Sequence, residues 1–523
     1  MYNKKDYVAQ ILKTLFIICN FYIGVIALIY IKKEICGIPT FMIYLFSIII
    51  VVVLAVITNR KRIKIENSVL IRHENICLLS VSIVLIMLQL LIVWNAIFRT
   101  AWDPGAVWYG AHYVSTNDQA GIESMAYYFS VYPNNLLLVY IYSIILRVNE
   151  LIGQPVSNGT LLLSIFQCFL ITFTGVIFFK VAKRVVGNYL AWIGYFFFFL
   201  LVGLSGWIMI PYSDSTGVIF PITILYLYLI IKESSNTKRK CFGIFGIVFL
   251  GYSGFHIKPM VLIVLIAIVL IEVSNIVTFW KKYIVVCGKK YLKYSISGIL
   301  GLVTAMILVN TSVKSMEFPV VTETVLGWQH HMMLGLNKDT NGGYSQEDFD
   351  YSTSFTTSEE QHAAEYAEIK QRLKDFGVLG YMEHFVKKSA RNYFDASFGW
   401  GGLGDLFYTE IFPQRDNKLC PIIRSLYYDN NDENLYKFNL LFRQIIWYIV
   451  ICSMQFAAWS KGELDTKNKV LLLSVLGLMM YLQIFEAHAR YVFTFVPLYI
   501  IIACLGMRNL VHKMENKQVS KRK

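Results

Sequence analysis

The sequence predicts an all-α polytopic membrane protein of 12–13 transmembrane helices, with a mainly helical domain carried outside the membrane. Three observations lead there. The 523-residue chain is 56% hydrophobic and only 16% charged, with a mean hydropathy of +0.52, whereas a soluble globular chain is about half apolar and a quarter charged. The apolar excess falls in runs of about 18 to 23 residues, the length that crosses a bilayer core as helix. Lysine and arginine gather in the connections between those runs rather than on one soluble unit.

Taken in order, the predicted spans are 8–31, 38–58, 75–97, 134–150, 159–180, 188–207, 216–232, 241–256, 258–279, 294–313, 437–459, 468–485 and 491–507. The first, from Val8 to Ile31, is too long for a cleaved signal peptide and lacks its small-residue flank, so it reads as a retained anchor.

The basic clusters are Arg60, Lys61, Arg62 and Lys64; Lys232 with Lys238, Arg239 and Lys240; Lys281, Lys282, Lys289, Lys290 and Lys293; and the tail from Lys513 to Lys523. This is the positive-inside pattern, and it assigns those segments to the cytoplasm. The net charge of +14 is thereby accounted for without nucleic acid as a partner. The two long polar interruptions, 98–133 and 314–436, fall outside. Between 98–133 and the cluster at 232–240 lie four apolar runs, where an odd number of crossings is required. Either one run re-enters near 134–160 or 188–216, or the basic stretch Lys180 to Arg184 is on the other side.

The nine cysteines show no metal-ligand spacing and mostly sit inside apolar runs as small hydrophobes. The 314–436 segment has the texture of a folded domain. Thr357 or Ser358 is placed to cap a helix whose first turn holds Glu359 and Glu360 and which stops at Gly377. Tyr381 to Tyr393 reads as a second, amphipathic helix at the membrane surface. The run Phe398-Gly399-Trp400-Gly401-Gly402 suits a shaped binding surface.

Candidate chemistry sits where polar residues interrupt apolar runs. Asp103, in Trp102-Asp103-Pro104-Gly105, stands where the chain leaves a helix; it is either a turn cap or a general base toward an acceptor hydroxyl. Asp118 and Glu123 follow on a segment whose Ile122, Met125, Ala126 and Phe129 let it lie along the bilayer. Tyr212 and Asp214 lie in Pro211-Tyr212-Ser213-Asp214-Ser215, where the plain reading is a capped turn. His256 and Lys258 break another run, and a lysine at that depth needs an anion, water or an interface to snorkel to. Glu486, Arg490 and Tyr491 join the last two spans. Their i, i+4 spacing permits a simple ion pair, while arginine is also suited to gripping a phosphate. His330 and His331 are adjacent, so they cannot share a helix or strand face, which argues against a zinc site.

Together these features resemble the GT-C superfamily of membrane glycosyltransferases, which includes the protein O-mannosyltransferases and the lipid A aminoarabinose transferase. The likeness lies in an Asp just after a helix in the first outer loop, many spans, a late outer loop, and a closing E-x-x-x-R-Y before a Pro-containing final helix. His331-Met332-Met333-x-Gly335-Leu336-Asn337, Gly343-Tyr344-x-x-x-Asp348 and Asn392-Tyr393-x-x-x-Ser397-Phe398-x-Trp400 resemble segments of Gram-positive members. The resemblance implies a GT-C-like module over 75–313, preceded by two additional helices in 1–74, with an extracytoplasmic domain at 314–436 and the closing transmembrane helices with a basic cytoplasmic tail at 437–523. It further implies inverting sugar transfer from a polyprenyl-phosphate donor to a glycan or protein acceptor at the outer face of the plasma membrane. Asp103 would be the base, Lys258 and Arg490 would bind phosphate, and Asp118 or Glu123 would be a second acidic residue. No definite cofactor is implied, and a divalent metal stays open because some relatives use one and some do not. A polysaccharide polymerase or ligase would rely instead on Arg391 or His330. A transporter is disfavoured by the scarcity of mid-span ionisable residues and of any inverted repeat.

Overall fold

The computed structural model describes residues 6–31, 33–66, 69–153, 156–278, 288–400, 408–411, 415–428, 433–459 and 464–522. Among these, nine helices are long and apolar enough to cross a membrane: Tyr7–Tyr30, Thr40–Arg60, Glu74–Ala96, Gly159–Val186, Ser213–Glu233, Pro259–Thr278, Lys290–Lys314, Asn434–Met454 and Thr466–Ile484. Asn188–Gly203 is a shorter apolar helix. Thr237–Phe255 and the first part of Val496–Arg522 also traverse the bundle. The last of these packs closely: a Cβ on Gly506 would overlap the Ser453 carbonyl of the neighbouring helix, so only a small residue permits that approach.

Contacts at the helix ends resolve the parity of the spans. Lys183 pairs with Glu74 at 2.7 Å and Arg184 with Glu233 at 3.1 Å. Lys467 donates to the Arg184 carbonyl, Arg508 to that of Val185, and Lys469 pairs with Asp6. All these ends therefore share one face, the basic face. At the opposite face, hereafter the loop face, Ser115 donates to Glu150 at 2.7 Å. Leu136–Leu151 thus begins and ends at the loop face, packed along Trp102–Thr116, and does not cross. Three crossings, 156–186, 188–203 and 213–233, remain between 98–133 and the 232–240 cluster. Read this way, the chain crosses twelve times among the described residues. An apolar run of that length marks a lipid-facing helix and a protein-buried one alike, and here Leu136, Leu138, Val139 and Tyr142 are buried by protein.

The loop face carries the second unit. Trp328–Gly335, Gln346–Thr353 and Ser358–Tyr393 are helical. Thr357 Oγ1 accepts from the Glu360 amide at 3.3 Å as the helix cap. Gly377, at φ +54°, breaks the long helix where the sequence places a stop and lets it restart toward Tyr393. Arg372 binds both oxygens of Asp348, at 2.7 and 2.9 Å, and clips the first half of the long helix to Gln346–Thr353. Phe98–Thr100 pairs antiparallel with Tyr408–Ile411, and the Leu326 amide donates to the Val131 carbonyl, so the two long loops are joined. The segment after Asp118 forms two short helices, Gln119–Ser124 and Ala126–Val131, with Ile122 and Phe129 buried. Those two apolar side chains face protein rather than lipid, contrary to the amphipathic reading. Gly401 and Gly402 lie outside the described residues.

Candidate active site

Asp103 occupies the first turn of Trp102–Thr116 rather than an open turn. Pro104 fits there because first-turn amides have no helical acceptor. Gly105 fits because a Cβ would come within 2.7 Å of the Thr100 carbonyl oxygen. Trp102 enters the helix at φ +56°, a left-handed conformation that costs a non-glycine residue energy and is held by its surroundings. The helix N-terminus favours negative charge at Asp103. Its Oδ1 accepts from the Tyr128 hydroxyl at 2.9 Å and its Oδ2 from the Tyr212 hydroxyl at 3.3 Å. Asn135 in turn donates to the Tyr128 oxygen at 2.9 Å. Each carboxylate oxygen retains a further lone pair.

Two residues beyond Tyr212, Asp214 is fully buried, with Lys258 Nζ 2.5 Å from Oδ1 and Arg490 Nε 4.0 Å from Oδ2. One carboxylate thus stands between two cations that come from opposite halves of the chain. The Thr494 hydroxyl donates to the Asp214 carbonyl at 3.3 Å, holding the last span against this turn. Tyr491 lies beneath both cations, its ring centre 4.6 Å from Lys258 Nζ and 5.3 Å from Arg490 Cζ, while its hydroxyl donates to Glu486 at 2.7 Å. Glu486 and Arg490 do not form the i, i+4 pair that their spacing permits. The helix begins only at Ala489, so Glu486 precedes it and Arg490 turns toward Asp214. Asp103 and Arg490 are within electrostatic range of one another.

His488 completes this wall. Its Nδ1 accepts from the Arg490 amide at 3.2 Å. Burial first, then the charges of Arg490, Arg391 and Lys258, hold its pKa well below the usual imidazole range, so the ring is neutral. Gly399, at φ +90°, passes so close that a Cβ would sit 2.9 Å from His488 Cε1. The segment itself is held by the loop unit. Lys388 Nζ donates to the carbonyls of Gly335, Gln483 and Phe485 at 2.9, 2.8 and 2.7 Å. Arg391 donates to the Ala487 and Thr340 carbonyls, and the Ala487 amide donates to the Gly342 carbonyl.

The structure therefore brings Asp103, Tyr212, Asp214, Lys258, Glu486, Arg490 and Tyr491 to one place. It does not bring Asp118, Glu123 or His256 there. Asp118 is exposed and caps the Gln119–Ser124 helix through the Gly121 amide at 3.0 Å. Glu123 is exposed on that helix. His256 packs against the rings of Tyr252 and Phe255, with centroids 4.8 and 5.4 Å away. Of the residues suited to a polymerase reading, Arg391 is committed to backbone carbonyls, and His330 to the Ser352 hydroxyl at 2.7 Å. Among the described residues no three His, Cys, Asp or Glu side chains converge as a metal ligand set. Tyr128, Asn135, His488 and Lys388 were missed by sequence reasoning. Nothing in the sequence separates Tyr128 from the 34 tyrosines present.

The family described as conserved hypothetical integral membrane protein matches residues 1–511. The chain belongs to that family. Among curated proteins none matches. Among solved structures, the chain is similar to the archaeal oligosaccharyltransferase AglB from Archaeoglobus fulgidus in complex with an inhibitory peptide and a dolichol-phosphate. That similarity has a TM-score of 0.43 at 11% identity and covers 84% of this chain. The chain spans about half the length of that structure, 50%.

Proposed function

We propose that this membrane protein is a glycosyltransferase of the GT-C type that moves a sugar from a polyprenyl-phosphate donor to an extracytoplasmic glycan or protein, with inversion at the anomeric carbon. The observation that carries the reading is the placement of the Asp103 carboxylate and the Lys258–Arg490 cations on one loop-face cluster, linked through Tyr212 and Asp214. In the proposed step the acceptor oxygen attacks the anomeric carbon and the bond from that carbon to the donor phosphate oxygen breaks. The acceptor proton passes to Asp103. The polyprenyl phosphate leaves with the bonding electrons, and Lys258 and Arg490 stabilise the charge that develops on it. A phosphate leaving group needs no general acid, so one carboxylate suffices. The loop face is then the outer face of the plasma membrane, in line with the basic segments at the other end.

The test is Asp103→Asn, with release of polyprenyl phosphate from a polyprenyl-phosphate sugar followed in reconstituted vesicles. A general base contributes a factor of roughly 10² to 10⁴, so turnover should fall by about that much. Donor binding should persist, because Lys258 and Arg490 are untouched. Turnover within a few-fold of the native chain would reject Asp103 as the base.

A further inference from the structure

The loop unit exposes an apolar tip that the proposed chemistry does not use. Where Gly377 breaks the long helix, the next residues are Val378, Leu379 and Met382, which are 79%, 82% and 62% exposed. Side chains of this size are not usually left so open beside one another on a surface facing water. The restarted helix is amphipathic about them: His384 and Lys388, on the other face, are buried against the chain.

The position of this helix says what covers the tip. It packs beside the loop-face end of the first span, Ile26–Tyr30. Phe385, three residues after Met382, meets Tyr22 of that span with ring centroids 5.5 Å apart, and Lys387 is within electrostatic range of Tyr30. The same apolar span leaves Phe21 and Ile29 67% and 75% exposed, as a span does on the side that meets lipid. The apolar tip therefore continues the lipid-facing surface of a span along a helix whose flank carries the Glu383–Lys387 ion pair, 2.8 Å, of the kind found at headgroup level.

We propose that Val378, Leu379 and Met382 insert into the lipid leaflet on the loop face, so that the loop unit has its own peripheral attachment to the bilayer. The occupant of this surface is lipid acyl chain. Gly377 is what aims it: its left-handed conformation ends the first half of the helix and turns the second half down along the first span. The attachment is independent of what the Asp103 cluster does.

The experiment uses the full chain in lipid nanodiscs, its native cysteines replaced, with an environment-sensitive fluorophore on Leu379→Cys. Two quenchers are compared, a doxyl group on lipid acyl chains and aqueous iodide. Reference labels go on Ile49→Cys, 60% exposed on the second span, and Tyr351→Cys, 41% exposed on the loop unit. The expected result is blue-shifted emission at Leu379, quenched by doxyl lipid as at Ile49 and at least about threefold less by iodide than at Tyr351. A label on Met382→Cys should move from lipid-quenched to iodide-quenched when Leu379→Glu is added. Since Leu379 is exposed, that change leaves the packing of the helix intact. Iodide quenching of the Leu379 label equal to that at Tyr351 would overturn the proposal. Protection from both quenchers would overturn it too, because a protein partner or a second copy would then cover the tip.

Discussion

Asp214 offers the sharpest test of the cationic site, because its removal changes charge balance without touching a reacting atom. Its carboxylate is 0% exposed, Lys258 Nζ is 2.5 Å away and Arg490 Nε 4.0 Å. In Asp214→Asn the side chain keeps its size and both cations lose their shared counter-ion. Two unit charges about 4 Å apart interact by about 4 kcal/mol at the effective dielectric of a protein interior. Breaking a buried pair by removing one partner costs about 3–5 kcal/mol. The variant should therefore unfold about 3–5 kcal/mol more easily in detergent, as measured by denaturant titration. If the site is built for a phosphate, polyprenyl phosphate should take the vacated role. A ligand at a hundred times its Kd stabilises by about 2.7 kcal/mol, and the variant should gain more than the native chain, in which Asp214 competes for the same cations. Asp214→Asn with Lys258→Met should recover part of the lost stability by removing one orphaned charge, and should lose the response to phosphate lipid. A variant as stable as the native chain, or one that gains less from the lipid than the native chain does, would refute the reasoning.

Three further outcomes follow from the geometry. Lys388→Met removes the Nζ donor from the Gln483 and Phe485 carbonyls, while that of Gly335 keeps His384 Nε2 at 2.9 Å, a loss of about 1–3 kcal/mol for each group left unpaired; hydrogen exchange across 483–490 should accelerate, and unchanged exchange would remove Lys388 as the anchor of that segment. Burial, with His331 beside it, lowers the His330 pKa to about 3 from 6.5; the unfolded ring takes up its proton first as pH falls, so stability of the loop unit should drop on the order of 4 kcal/mol between pH 6.5 and 3. Glu365, 4.0 Å away and raised by burial, offsets part of that drop, so exchange at 328–353 should be compared with His330→Gln, and the same pH slope in both would dismiss the histidine. Thiols introduced at Tyr351 and Lys513 should be labelled from opposite sides of the membrane, and labelling from one side would overturn the topology.

Much of the site was legible because of where polar residues interrupt apolar runs. Asp103, Asp214, Lys258 and Arg490 each stand at the end of a span, and span ends on one face of a bundle are forced into proximity. Sequence spacing did not reveal which of them touch. Glu486 and Arg490 have the spacing of a helical pair, yet the helix starts one residue before Arg490, so the spacing has no helical meaning there. The run at 134–150 has the composition of a span because burial against protein selects the same residues as burial in lipid; the Ser115–Glu150 contact and the packing along Trp102–Thr116 tell the two apart. The acidic pair Asp118 and Glu123 looked equivalent to Asp103 by type. Exposure separates them: one caps a short helix and the other faces solvent. The staples from Lys388 and Arg391 were beyond reach, since their acceptors are backbone carbonyls that every residue possesses.

The order in which the cluster is assembled bears on how the chain survives its own synthesis. Asp214 and Lys258 emerge within 44 residues of one another and neutralise each other at 2.5 Å, so the growing bundle buries no net charge there while more than half of the chain is still unmade. Arg490 arrives with the last span, and only then does the shared carboxylate face a second cation. A chain that stalls before residue 490 consequently carries a balanced pair and no surplus positive charge at this place.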